Sequence, residues 1–205
     1  MVYAARKFVL LSDVMPKSTS DDPQTLRLFT GLACPLLPAI ADELQLLQSA
    51  ARETGSGLRV VKPNDLHLTL TFLGTCPVSA VAAITDALTA ACHGSQPFTL
   101  TISGAGSFHG ALWLGVQPHA LLDQLAARVR QSLAASGLVS DGKHWQPHIT
   151  VARMNHKPRF DWKRWQRERC DLGFGTFVVQ EALLYRSDTL AGGARYSVLH
   201  RGRLG

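Results

Sequence analysis

Two short segments constrain this chain more than anything else in it: Leu66-His67-Leu68-Thr69-Leu70-Thr71-Phe72-Leu73-Gly74 and Pro147-His148-Ile149-Thr150-Val151-Ala152-Arg153. Both alternate apolar and polar residues, and a period of two is the mark of a strand with one face in a core. Parity puts Leu68, Leu70 and Phe72 on the buried face of the first strand, and Ile149 and Val151 on that of the second. His67 with Thr69, and His148 with Thr150, then occupy the opposite faces. The shared His-x-Thr core recurs 81 residues apart, with a strand and a helix before each copy. Such a repeat predicts two similar lobes facing one another across a cleft, holding two imidazoles and two hydroxyls.

The rest of the chain alternates short strands with amphipathic helices. Residues 1–25, with Pro16, Ser18, Ser20, Asp21, Asp22 and Pro23, resist regular structure and are expected as a disordered N-terminal extension to a domain spanning 26–205. Leu26–Leu32 reads as a strand and Pro35–Arg52 as a helix, followed by a turn at Lys62–Asp65. The first histidine strand, Leu66–Leu73, is expected to stop at Gly74, and a helix to run from Pro77 to about Ala91. Phe98, Leu100 and Ile102 mark a strand, and Ala111–Val116 marks another. Pro118 opens a third helix to Ala135, its buried stripe being Leu121, Leu122, Leu125, Val129 and Leu133, with Gly137 as its stop. After the second histidine strand, His148–Ala152, come strands at Phe177–Tyr185 and Arg195–Arg201, with a loop at Asp188–Gly193. Three helices among about seven strands, joined by short connections, predict an α+β fold with two antiparallel sheets around a central cleft and helices outside.

Composition narrows the function classes. At 205 residues, 46% hydrophobic and 18% charged, the chain is long and apolar enough to bury a sizeable core. No apolar run reaches the ~18 residues that span a bilayer, and Phe8–Leu11 is too short for a signal-peptide core, so a cytoplasmic monomer with no membrane partner is expected. A net charge of +6 favours an anionic partner. Cys34, Cys76, Cys92 and Cys170 form no C-x-x-C pair and are read as free thiols buried as small hydrophobes. Gly104-Ala105-Gly106 stands between two strands with no helix after it, so it is neither a phosphate loop nor a dinucleotide fingerprint.

Histidine is the side chain whose ordinary pKa lies near neutrality, so a pair can hold one neutral base and one protonated acid together. That suits in-line phosphoryl chemistry: one imidazole takes a proton from water while the other protonates the departing oxygen, and hydroxyls with a nearby cation hold the phosphate oxygens. Two histidines without a carboxylate or thiolate make an incomplete ligand set, so neither a metal nor another cofactor is expected.

These residues resemble a known family, the LigT-like RNA 2′,3′-cyclic phosphodiesterases of the two-histidine phosphoesterase superfamily. The resemblance runs from about Leu26 to the C-terminus. It is carried by Leu26-Arg27-Leu28-Phe29-Thr30-Gly31, both histidine motifs, Ala111-Leu112-Trp113-Leu114-Gly115, Leu184-Tyr185-Arg186-Ser187 and Gly192-Gly193-Ala194-Arg195-Tyr196. It implies a bilobal, pseudo-two-fold fold that opens a 2′,3′-cyclic phosphate on RNA, or a cyclic nucleotide, to a 2′-phosphomonoester without a cofactor. By motif position it implies that His67 is the proton donor and His148 the proton acceptor, with Thr69, Thr150 and Arg153 binding the phosphate. Arg153 has the opposite strand parity to His148 and reaches the cleft only if the strand bends or ends first.

From Arg153 to Arg169 there are seven Lys or Arg against Asp161 and Glu168, interleaved with Phe160, Trp162 and Trp165. This is either a grip for single-stranded RNA or a charged segment anchored by its aromatics. Phe108, His109 and Trp113 are placed either to flank a base or to face the core. His93, His119, His144, His156 and His200 show no pairing pattern. The same site is also compatible with a 2′,5′ RNA ligase or 2′,5′-phosphodiesterase, and the basic surface with a non-catalytic RNA-binding module.

Overall fold

The computed structural model describes residues 24–53, 55–108, 110–138, 145–155, 158–190 and 193–205. The expected extension, apart from its last two residues, lies outside the described residues, as do His109, His144, His156 and Lys157. The described chain opens with β1 (Thr25–Ala33) and α1 (Pro38–Ala51), then β2 (Leu58–Val60), a 3-10 turn at Pro63–Asp65 and β3 (His67–Pro77). Next come α2 (Val81–Cys92), β4 (Phe98–Phe108), β5 (Ala111–Val116) and α3 (Ala120–Ala135). The second half closes with β6 (His148–Met154), α4 (Trp162–Glu168), β7 (Gly173–Val179), β8 (Glu181–Leu190) and β9 (Gly193–Arg203). Among the described residues no helix is long and apolar enough to cross a membrane.

All strand pairings are antiparallel, in the order β7-β4-β5-β6-β3-β1-β8-β9, with β2 on β6. The fold is the expected α+β arrangement, and its two sheets are halves of one curled sheet. Four strands, β3-β1-β8-β9, lie on one side and four, β6-β5-β4-β7, on the other, joined through the pair Leu68 with Ile149. Helices α2 and α3 pack together, α2 covering β8 and β9 and α3 reaching β3; α1 sits on β2 and β7, and α4 on β4. The stripe of α3 is buried at Leu122, Leu125, Ala126, Val129 and Leu133, while Leu121 is half-buried. Cys34, Cys76 and Cys92 are buried free thiols, and burial lifts Cys34 to about 12 and Cys92 to about 11. Cys170 is exposed instead.

Several boundaries differ from expectation, each for a local reason. Helix α1 starts at Pro38, whose fixed φ suits the first turn, and Leu36 is left exposed. A 3-10 turn at Val78–Ala80 separates Pro77 from α2, and α3 likewise begins two residues after Pro118. Gly74 does not end β3; at φ +71° it stays paired with Leu28 beside an irregularity in the β1 ladder, and the strand continues to Pro77. The segment Phe177–Tyr185, expected as one strand, is two, because the chain crosses at Gln180 from one half-sheet to the other. Of the expected loop Asp188–Gly193, Ala191 and Gly192 lie outside the described residues, and the rest is strand: Asp188 pairs with Arg195 and Leu190 with Gly193 in the β8-β9 ladder. Gly104-Ala105-Gly106 lies inside β4, and a fourth helix, α4, follows β6.

Candidate active site

The two histidine strands are neighbours, and their register builds the site. Leu68 pairs with Ile149, both fully buried, so both point into the core. Flanking residues on each strand point the other way, which puts His67, Thr69, His148 and Thr150 together on the cleft face, all half-buried. Trp145, just before β6, donates its indole N–H to the Thr69 carbonyl at 3.0 Å and ties the second strand to the first.

Each histidine is oriented by its own turn. His67 Nδ1 lies 2.7 Å from the Asp65 carbonyl and His148 Nδ1 lies 2.8 Å from the Gln146 carbonyl. A carbonyl only accepts, so Nδ1 carries the proton in both rings and each presents Nε2 as its free nitrogen. The 3-10 turn at Pro63–Asp65 supplies the first acceptor and the Gln146-Pro147 approach to β6 supplies the second.

Aromatic rings wall both imidazoles. Around His67 stand Phe29 at 4.9 Å, Tyr196 edge-on at 4.9 Å and Tyr185 at 5.8 Å between ring centroids. Around His148 stand Phe108, edge-on at 4.7 Å, and Trp113 at 6.1 Å. Burial therefore lowers the pKa of both histidines from 6.5 by disfavouring the charged ring, and the backbone acceptors oppose that in part. Charge repulsion lowers them further, from His148 and Arg153 on His67 and from Arg153 on His148. The aromatic wall was not assigned from the sequence, where Phe29, Tyr185 and Tyr196 stood out only as part of a family pattern.

The parity problem at Arg153 is resolved by a bulge. Trp113 pairs with Thr150 but Leu112 with Ala152, so Val151 is an extra residue on β6. Val151 and Ala152 both face the core at 0% exposure, and Arg153 swings onto the histidine face. The first strand carries the same device: Gly31 pairs with Thr69 but Thr30 with Thr71, leaving Leu70 extra. Leu70 and Thr71 are both buried, and Phe72, expected in the core, is 48% exposed on the cleft face, 6.0 Å from Phe29. Phe72 is thus the repeat counterpart of Arg153.

Trp113 keeps its place because Gly106 faces it across the β4-β5 ladder; a Cβ there would sit 2.1 Å from the indole. Gly106→Ala should displace that ring and destabilise the protein by about 1–3 kcal/mol through overpacking. Urea unfolding with tryptophan fluorescence checks this, and an unchanged midpoint and spectrum would speak against the contact.

The basic segment is divided between core and surface. Trp165 is 2% exposed and donates its indole N–H to Glu43, while Arg169 donates to Glu43 at 2.7 Å and lies over the Trp165 ring. Arg164 pairs with Glu168 at 2.6 Å, and Asp161 caps α4 by accepting from the Arg164 N–H. Phe160 and Trp162 pack against the core, so this segment is largely an anchored helix. Of the other histidines, His200 meets the Thr89 hydroxyl at 2.9 Å and His119 stacks on Phe98.

A family model for the 2′-5′ RNA ligase superfamily matches residues 36–189, about three-quarters of the chain. The chain belongs to this superfamily. Within it, an RNA 2′,3′-cyclic phosphodiesterase of Escherichia coli is 34% identical over 71% of this chain and 80% of that protein. One from Geobacillus stearothermophilus is 28% identical over 74% of this chain, which spans about half (51%) of that relative's length. The crystal structure of E. coli LigT complexed with 3′-AMP shares the superfamily fold at a TM-score of 0.67 and 29% identity, covering 88% of this chain and 99% of that one.

Proposed function

We propose that this chain hydrolyses the 2′,3′-cyclic phosphate at RNA ends to a 2′-phosphomonoester, using His67 as general acid and His148 as general base. The observation that carries this reading is the pair of imidazoles on adjacent strands, each with Nδ1 held by a carbonyl and, among the described residues, no hydrogen bond at Nε2. Water attacks phosphorus opposite O3′ and yields its proton to His148 Nε2. The P–O3′ bond breaks as His67 Nε2–H protonates O3′, leaving phosphate on O2′. Thr69 and Thr150 hydroxyls donate to non-bridging oxygens, and the Arg153 guanidinium offsets their charge. The E. coli LigT complex with 3′-AMP supports a nucleotide ligand, and the named relatives support the activity.

A reaction without a metal fits the donor set, because among the described residues no group of three or more His, Cys, Asp or Glu could hold an ion. Free cysteines fit a reducing cytoplasm and a net charge of +6 fits an RNA partner, and we read the chain as a monomer with 26–205 as its one domain. The family model's name favours a second reading, ligation. A 5′-hydroxyl in place of water, deprotonated by the same His148, gives a 2′–5′ linkage with no change of residues.

The pH profile tests the acid–base pair. The base fails when protonated and the acid fails when deprotonated, so kcat/KM is bell-shaped in the groups of the free enzyme. Both histidines titrate below 6.5, so both limbs move to the acid side and the maximum for a cyclic nucleotide should lie below pH 6.5. A maximum above pH 7 would contradict the lowering of the two pKa values, and a profile that lacks either limb would remove the pair as the titrating groups.

A further inference from the structure

A pocket of about 760 Å³ opens beside the histidine pair, lined among others by Arg59, Lys62, Asp65, Arg153, Arg195 and Tyr196. It is continuous with the site. The Asp65 carbonyl orients His67, the Tyr196 ring lies against His67, and Arg153 acts electrostatically on both histidines. Four cations line it against one carboxylate, Asp65.

The arrangement of those cations is costly for an empty surface. Arg59 on β2 and Arg153 on β6 are direct cross-strand partners, and like charges placed opposite one another destabilise a ladder. Arg195 faces Asp188 across the β8-β9 hairpin, but that carboxylate is held by Arg186 at 2.8 Å. Among the described residues, none of the four cations has an ion-pair partner. The Arg59 guanidinium reaches across to Gly193 at the start of β9, so cations from β2, β6 and β9 converge on one space. Guanidinium forks match phosphate oxygens, and a phosphate removes the repulsion between Arg59 and Arg153.

We propose that this pocket holds the phosphate on the 5′ side of the terminal nucleoside, so that the site takes an RNA end of at least two nucleotides in preference to a cyclic mononucleotide. This rests on the activity proposed above and adds its substrate class. The 5′ oxygen and the cyclic phosphate leave opposite ends of the ribose, so the two phosphates need separate donors. The histidine face supplies one set, and the pocket supplies the other.

Calorimetric binding of product-type ligands tests this independently of turnover. A nucleoside 2′,5′-bisphosphate, and a dinucleotide ending in a 2′-phosphate, should each bind roughly tenfold more tightly than the nucleoside 2′-monophosphate at low salt, with the advantage shrinking as salt rises. The double substitution Arg59→Ala with Arg195→Ala should erase that advantage and leave 2′-monophosphate affinity within about twofold. Equal affinities in the wild type, or an advantage that survives the double substitution, overturns the proposal. A tight bisphosphate with a weak dinucleotide overturns the preference for longer RNA. Absence of cyclic phosphate hydrolysis, measured on the same samples, counts against the activity reading and leaves the binding comparison decisive for the pocket.

Discussion

His67→Ala and His148→Ala should each lower kcat/KM for a 2′,3′-cyclic nucleotide by at least about 10²-fold, the usual contribution of a positioned proton donor or acceptor. Both rings are half-buried on the cleft face, and the buried partners beneath them, Leu68 and Ile149, are untouched, so the variants should fold. The two losses should differ in kind. With a 4-nitrophenyl phosphodiester the leaving group needs no proton, so His67→Ala should recover most of the wild-type rate while His148→Ala stays impaired. Steady-state kinetics on the two substrates checks this. Equal impairment of both variants on the aryl ester would remove the division of roles, and near-wild-type turnover by either variant on the cyclic substrate would remove that residue from the chemistry.

The second large effect concerns stability. Glu43, on α1, is 7% exposed and accepts from both the Trp165 indole and the Arg169 guanidinium, itself 8% exposed. Glu43→Ala leaves a buried cation without its principal carboxylate and an indole N–H without its acceptor. Removing one partner of a buried pair costs about 3–5 kcal/mol, and for a chain of this size that lowers the melting temperature by roughly 10 °C. Glu43→Gln keeps an acceptor for Trp165 and should fall between. Differential scanning calorimetry of the three proteins measures this; a shift of only a degree or two for Glu43→Ala would mean that the α1–α4 link contributes little. Because neither Glu43 nor Arg169 lines the histidine cleft, kcat at 25 °C should be preserved wherever the variant remains folded.

The cleft-facing histidines were legible in the sequence because strand parity is a local property: His67 and His148 each take the first polar position of an alternation whose apolar positions pack in the core. The α+β class was legible for a similar reason, since helical and strand periods show within ten residues. What parity did not carry was the position of Arg153 and Phe72. Each changes face through a bulge, and a bulge is fixed by the partner strand, here Leu112-Trp113 and Thr30-Gly31. A strand's own residues do not reveal that its neighbour skips one.

The crossing at Gln180 was hidden for a related cause: apolar residues stand on both sides of Gln180-Glu181, and a strand's own residues do not show that its two halves pack in different half-sheets. The basic segment misled in the other direction. Its composition resembles an RNA grip, yet the Glu43 carboxylate that takes up Trp165 and Arg169 stands more than a hundred residues away in the chain.

The most direct measurement is the fate of an RNA oligonucleotide ending in a 2′,3′-cyclic phosphate, incubated in excess EDTA with the wild type and with His148→Ala. The His67/His148 mechanism predicts turnover by the wild type alone, with the phosphate left on the 2′ oxygen. A 3′-phosphate product, or activity lost to EDTA and restored by a divalent metal, would contradict it.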